Sequence, residues 1–168
     1  RLENERWVET IPFRGAFVRP VDEAELAELY EFREIIEVAA LAKLMGDSNR
    51  SFGVGACNNA LTGRSPVEIL RPIVEDISAA IRTGDALAYL AADARFHKAI
   101  VDMAGNRRLS ELFVTLVEQG QCFMLGRTPE AMSRTSDGPD QHAELVDLIA
   151  QGDTQAACRL LSQHLKVG

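Results

Sequence analysis

No apolar run in this sequence approaches the roughly 18 residues that a membrane-spanning helix needs. Residues Arg1 to Glu9 are mostly charged or polar, which argues against a secretory signal and for a cytoplasmic protein. Cysteine is scarce: Cys57, Cys122 and Cys158 are an odd, widely spaced set with no CxxC pair. That excludes a cysteine-rich zinc site and leaves three reduced, mostly buried thiols as the expectation. Positive charge is short as well, with 18 Lys and Arg against 25 Asp and Glu, a net charge of −7. A domain that grips nucleic acid carries a basic patch, so any DNA-binding surface here is local or lies outside residues 1–168. There is no GxSxG, no HExxH, no glycine-rich phosphate loop and no paired Glu-x-x-His. Nothing marks an enzyme.

The chain has 168 residues, 46% apolar and 26% charged, within the range of a globular protein. This length suits one domain, or one domain and a fragment of another. A chain of this size buries roughly 70% of its unfolded surface and needs no disulfide staples.

Residues 1–20 differ from the rest. Two β-prone runs, Trp7–Ile11 and Gly15–Arg19, flank the turn residues Pro12, Arg14 and Gly15 and predict a β-hairpin. After Pro20 the pattern is helical. Asp22 can cap a helix to about Met45, with Leu26, Leu29, Tyr30, Arg33, Ile36, Glu37 and Ala40 at helical spacing. Gly46-Asp47-Ser48-Asn49 ends it, and residues 50–64 are rich in Gly, Asn and Ser and fit either a short helix or a loop. Ser65-Pro66 opens a helix to about Arg82. Gly84-Asp85 stops it and starts another, about Ala86 to Ala104. Gly105-Asn106 repeats the punctuation before a helix over about Arg107–Leu125. A polar break with Pro129 and Pro139 follows. The last helices run from about Asp140 to Gln151 and from Thr154 to about Lys166, around a Gly152-Asp153 turn. The expected fold is all-α: an antiparallel helical bundle preceded by a short hairpin.

The chain has three histidines, His97, His142 and His164. Asp93 and His97 are spaced i, i+4, on one face of one helix. His142 lies ten residues before Gly152 and His164 twelve after it. At 1.5 Å per residue these arms are about 15 and 18 Å long, so an antiparallel hairpin brings both to nearly one height. Two readings stay open on this ground. Asp93 and three imidazoles can share one divalent ion, a donor set that suits zinc, nickel, manganese or iron better than calcium. Alternatively, the histidines are unrelated: His142 at a helix start, His164 at a helix end where the dipole favours it, and His97 in the core. Arg33 and Glu37 are likewise either a surface i, i+4 pair or an inward arginine able to clamp a carboxylate.

Several segments resemble the FCD domain, the effector-binding domain of FadR-type regulators in the GntR family. Asp93-Ala94-Arg95-Phe96-His97 followed by Ala104-Gly105-Asn106 resembles its D-x-x-F-H and A-G-N signature. Gln141-His142 through Gly152-Asp153 and Ala156-Ala157 to Gln163-His164-Leu165 resembles its ending. Leu29-Tyr30-Glu31-Phe32-Arg33 with Glu37 resembles its opening. Arg1-Leu2-Glu3-Asn4-Glu5 and Pro12-Phe13-Arg14-Gly15-Ala16-Phe17-Val18 resemble the end of a GntR winged helix and its β-wing.

The resemblance implies that residues 1–20 end a DNA-binding winged helix and that residues 21–168 form a helical effector-binding and dimerisation domain. It implies that Asp93, His97, His142 and His164 bind one divalent metal, zinc first, then nickel, manganese or iron. A small carboxylate effector would complete the coordination, with Arg33 clamping a second anionic group. A homodimer is implied, with Arg14 and Gly15 of the wing as DNA contacts. It also implies weak DNA binding by residues 1–168 alone, because most of a winged helix is not in the chain. The chain departs from the family pattern in residues 47–64, where the family continues helical, and at Gln141, where the family has Glu. The rival readings are a metal-dependent enzyme on the same bundle and a metal-free helical interaction domain.

Overall fold

The computed structural model describes residues 8–11, 13–18, 23–46, 64–125 and 141–166. In chain order the elements are β1 (Val8–Ile11), β2 (Gly15–Val18), α1 (Glu23–Leu44), α2 (Pro66–Thr83), α3 (Ala86–Met103), α4 (Arg107–Leu125), α5 (Gln141–Gln151) and α6 (Thr154–Lys166). The described helices end within a residue or two of the boundaries read from the sequence. Asp22, Asp140, residues 47–63 and the break at 126–139 lie outside the described residues.

The strands pair antiparallel, Val8 with Val18 and Ile11 with Gly15. The turn between them takes positive φ at Phe13 (62°) and Gly15 (102°) and leaves Phe13 and Arg14 exposed.

Local chemistry punctuates the helices as expected. Ser65 Oγ accepts from the Glu68 N–H at 3.2 Å, and the Glu68 carboxylate accepts from the Ser65 N–H at 2.7 Å, closing a capping box. Pro72 lies inside α2 and has no N–H to offer the Glu68 carbonyl four residues back. The Arg64 guanidinium donates to that carbonyl instead, at 2.5 Å. This replaces the missing rung and lets the helix run through its proline. Gly84 ends α2 at φ 66° and Gly152 ends α5 at φ 73°, a left-handed geometry in which a Cβ is strained.

α3 is the central element and packs against α1, α2 and α4. α1 also packs on α4 and α6, α5 on α2 and α6. The larger apolar cluster is built around Leu41, Leu70, Ile77, Phe96, Ile100, Leu145 and Leu161. A smaller one joins Ile36, Ala40, Val101, Phe113 and Leu116. Ordinary cores bury apolar residues and pair the few polar ones. Here the buried polar side chains among the described residues are Arg33, Glu37, His97 and His142, and all four converge at the junction of α1, α3 and α5. Cys158 is buried and its thiol donates to the Val38 carbonyl at 3.9 Å; Cys57 and the Cys122 side chain lie outside the described residues.

Candidate metal centre

Helical spacing puts Asp93 and His97 one turn apart on α3, and the α5–α6 hairpin brings His142 and His164 to them. One donor atom from each of the four residues lies within 4.8 Å of every other. His142 Nε2 stands 3.1 Å from Asp93 Oδ1, His97 Nε2 stands 3.5 Å from the same oxygen, and His97 Nε2 and His164 Nε2 are 3.2 Å apart. The His142 and His164 rings lie 4.5 Å apart, as the arm lengths from Gly152 require. Phe96 packs edge-on against His97 and His142 at 5.6 and 4.8 Å, walling the cluster with hydrocarbon.

Further groups orient the rings from behind. His97 Nδ1–H donates to Glu37 Oε2 at 2.5 Å. Glu37 is fully buried, and its other oxygen accepts from Arg33 Nε at 2.9 Å. Arg33 is 5% exposed and lies over the rings of Tyr30 and Phe113, at 5.2 and 5.9 Å. The Arg33–Glu37 pair is therefore an inward, buried one rather than a surface pair. Its link to the cluster runs through His97. His164 Nδ1–H donates to Gln141 Oε1 at 2.9 Å. With both Nδ1 atoms so engaged, the Nε2 atoms of His97 and His164 face each other across the cluster, 3.2 Å apart.

Burial works against charge on His97, but Glu37 and Asp93 outweigh it and push its pKa up to about 9. Burial, then the charges on His97 and His142, push His164 down to about 3. Asp93 resists the same burial through His97 and His142 and is held well below the usual carboxylate range. Burial likewise opposes ionisation of Glu37, and His97 and Arg33 keep it below its ordinary value. Protonated His97 donating to neutral His164 is thus the metal-free state of the cluster.

The donor set fits a divalent ion. Nitrogen and oxygen donors about 2.0–2.2 Å from one zinc ion stand roughly 3.3–3.6 Å apart in a tetrahedron. The closest contacts of the cluster, 3.1, 3.2 and 3.5 Å, lie within or just below that spacing. Imidazole donors held by outer acceptors are also what metal sites require of their histidines.

Sequence reasoning named the four residues that the structure brings together. It missed that Glu37 orients His97 and gave no weight to Gln141. The available signal for Gln141 was arithmetic: it stands eleven residues before Gly152, and His164 twelve after it. Arg14 and Gly15 lie at the hairpin turn and are not members of the cluster. Glu144 is exposed, away from His142, as a two-residue spacing on a helix demands.

A bundle of six described helices carrying one half-buried Asp and three His, preceded by a two-stranded hairpin, defines the class of molecule. Residues 56–167 match the family model of the FCD domain, and the chain belongs to that family. An HTH-type transcriptional regulator of Agrobacterium vitis, from the TAR-I ttuE-ttuC' intergenic region, is 29% identical over 106 residues, covering 63% of this chain. The chain spans 56% of that relative's length. Among solved structures, Escherichia coli McbR/YncC matches with a TM-score of 0.73 at 17% identity, covering 99% of this chain and 72% of its own. A GntR regulator from Rhodococcus sp. RHA1 matches with a TM-score of 0.72 at 21% identity, over 98% of this chain and 72% of its own. These likenesses show the fold of GntR-type regulators with an FCD domain. No described helix is long and apolar enough to cross a membrane.

Proposed function

We propose that this chain is the sensing part of a ligand-responsive transcriptional regulator of the GntR type, and not an enzyme. Residues 21–168 form a helical effector-binding and dimerisation domain. Residues 1–20 are the wing end of a DNA-binding winged helix, with Arg14 and Gly15 at its DNA-facing turn. Asp93, His97, His142 and His164 hold one divalent metal, zinc before nickel, manganese or iron. The observation that carries this reading is the convergence of those four donors, with both His97 and His164 turned Nε2-inward by acceptors at their backs.

Three neutral imidazoles and one carboxylate leave a divalent ion with about one net positive charge. When bound, the ion supplies a Lewis-acidic point for the oxygens of a small anion. Partial burial of the cluster lowers the local dielectric and strengthens that attraction. Arg33 adds a second cationic group on the α1 side. Its buried, planar guanidinium suits a second carboxylate of a dicarboxylate or sugar acid. Effector binding then favours one arrangement of the bundle in the homodimer and so modulates DNA binding by the winged helix.

Elemental analysis of the purified chain should find close to one first-row divalent ion per chain. Sugar acids and small dicarboxylates should raise the melting temperature of the metal-loaded chain but not of His142→Ala. No metal after reconstitution, or stabilisation only by neutral sugars or fatty acyl compounds, overturns the reading.

A further inference from the structure

Two imidazoles of the cluster are held from behind in unlike ways. His97 leans on Glu37, a buried carboxylate tied to Arg33. His164 leans on the side-chain amide of Gln141, at 2.9 Å. A carboxylate can only accept, so Glu37 fixes the His97 tautomer whichever oxygen faces the ring. A primary amide accepts at one end and donates at the other. With its oxygen toward the ring, Gln141 keeps the His164 proton on Nδ1 and leaves Nε2 free to bind. With its NH2 toward the ring, Nδ1 must accept, and the proton moves to Nε2, where it blocks coordination.

Gln141 is also placed to serve two donors from one turn of helix. It opens α5, half-buried, immediately before His142. The α5–α6 hairpin sets it opposite His164, so the same turn presents one imidazole and orients another.

We propose that Gln141 is a positioning residue of the metal centre: its amide oxygen selects the metal-binding tautomer of His164 and, being uncharged, makes His164 a weaker donor than His97. The inference rests on the metal reading above. An outer partner tunes ligand basicity by its charge, and losing one typically costs about 10–100-fold in metal affinity.

Two variants of the whole chain separate acceptor from charge. Gln141→Met keeps the length of the side chain and removes the acceptor. Gln141→Glu keeps the acceptor and adds charge. Zinc affinity, measured by competition with a chromophoric chelator, should fall about 10–100-fold in Gln141→Met and equal or exceed wild type in Gln141→Glu. The metal-free melting temperatures should agree within a few degrees, which a merely structural role for Gln141 would not give. Nitrogen-15 NMR of the metal-free histidines, recorded above pH 9 where His97 has lost its second proton, should place the His164 proton on Nδ1 in wild type and Gln141→Glu, and divide it between the nitrogens in Gln141→Met. Wild-type zinc affinity in Gln141→Met, or equal weakening in both variants, overturns the proposal while leaving the metal site intact. If wild type takes up no zinc, the metal reading fails by itself. The NMR result still judges the contact, and an Nε2–H His164 in wild type overturns it.

Discussion

The α2–α3 and α5–α6 hairpins turn in the same way. Gly84 and Gly152 both take left-handed φ, at 66° and 73°. Asp85 and Asp153 then cap the next helix, each accepting from the N–H three residues on at 2.9 Å. Past the turns they part. α2 buries only Leu70, Val74, Ile77 and Ala80, whereas α5 buries His142 beside Leu145, Val146 and Ile149. The turn chemistry decides that two helices lie antiparallel. What stands ten or twelve residues from the turn decides whether the pair is packing or a site. α3 belongs to the first hairpin yet lends Asp93 and His97 to the second, which makes the apolar hairpin the platform for the polar one.

The comparison breaks most sharply at the donors. His142→Ala or His164→Ala should abolish stoichiometric metal uptake by elemental analysis. It should also remove the stabilisation a bound ion confers, about 4 kcal/mol where free metal is about 1,000 times its Kd. The matching change in the other hairpin, Ile77→Ala, empties a fully buried site. It should cost roughly 2–5 kcal/mol in denaturant unfolding and leave the metal content unchanged.

Dependence on pH sharpens it next. His97 carries a folded pKa of about 9, above its unfolded value, so its charge contributes stability fully below an unfolded pKa of about 6.5, lost as pH rises to 9. His164 is depressed to about 3, so the unfolded chain takes up its proton first and stability falls as pH drops from 6.5 toward 3. Metal-free protein should therefore melt highest near pH 6.5. Metal must displace the His97 proton, so apparent affinity should rise up to about tenfold per pH unit between pH 7 and 9. Melting curves across pH, with and without EDTA, read both effects.

The smallest difference expected is between the caps. Asp85→Ala and Asp153→Ala should each cost about 1 kcal/mol, since the two turns are chemically alike. A much larger loss in Asp153→Ala, with metal loaded, would show that the second turn also holds the donors in place.

Much of this arrangement was legible before folding because it is local. Gly-Asp pairs, Ser65-Pro66 and the i, i+4 spacing of Asp93 and His97 act within one turn of chain, and helix rise alone sets His142 level with His164. The orientation of Arg33 and Glu37 was not legible. An i, i+4 ion pair has the same spacing on a surface as in a core, and only the packing of α1 on α3 decides between them. Glu37 and His97 are 60 residues apart and Gln141 and His164 are 23, so their contacts depend on the faces that tertiary packing selects.

Glu34 accepts from Ser162 Oγ at 2.5 Å and from Lys166 Nζ at 3.1 Å, the two residues that flank His164 on α6. Three residues along the same helix, Glu37 holds His97. α1 thus grips both sides of the cluster within one turn, and it is a stiff rod of 22 residues. From Glu37 back to Glu23, where the helix begins on the side of the hairpin in sequence, is about 21 Å at 1.5 Å per residue. Pivoting that rod by about 3° at Glu37 carries its far end roughly 1 Å. A small adjustment at the histidines is thereby magnified into a larger displacement of the start of α1 at Glu23.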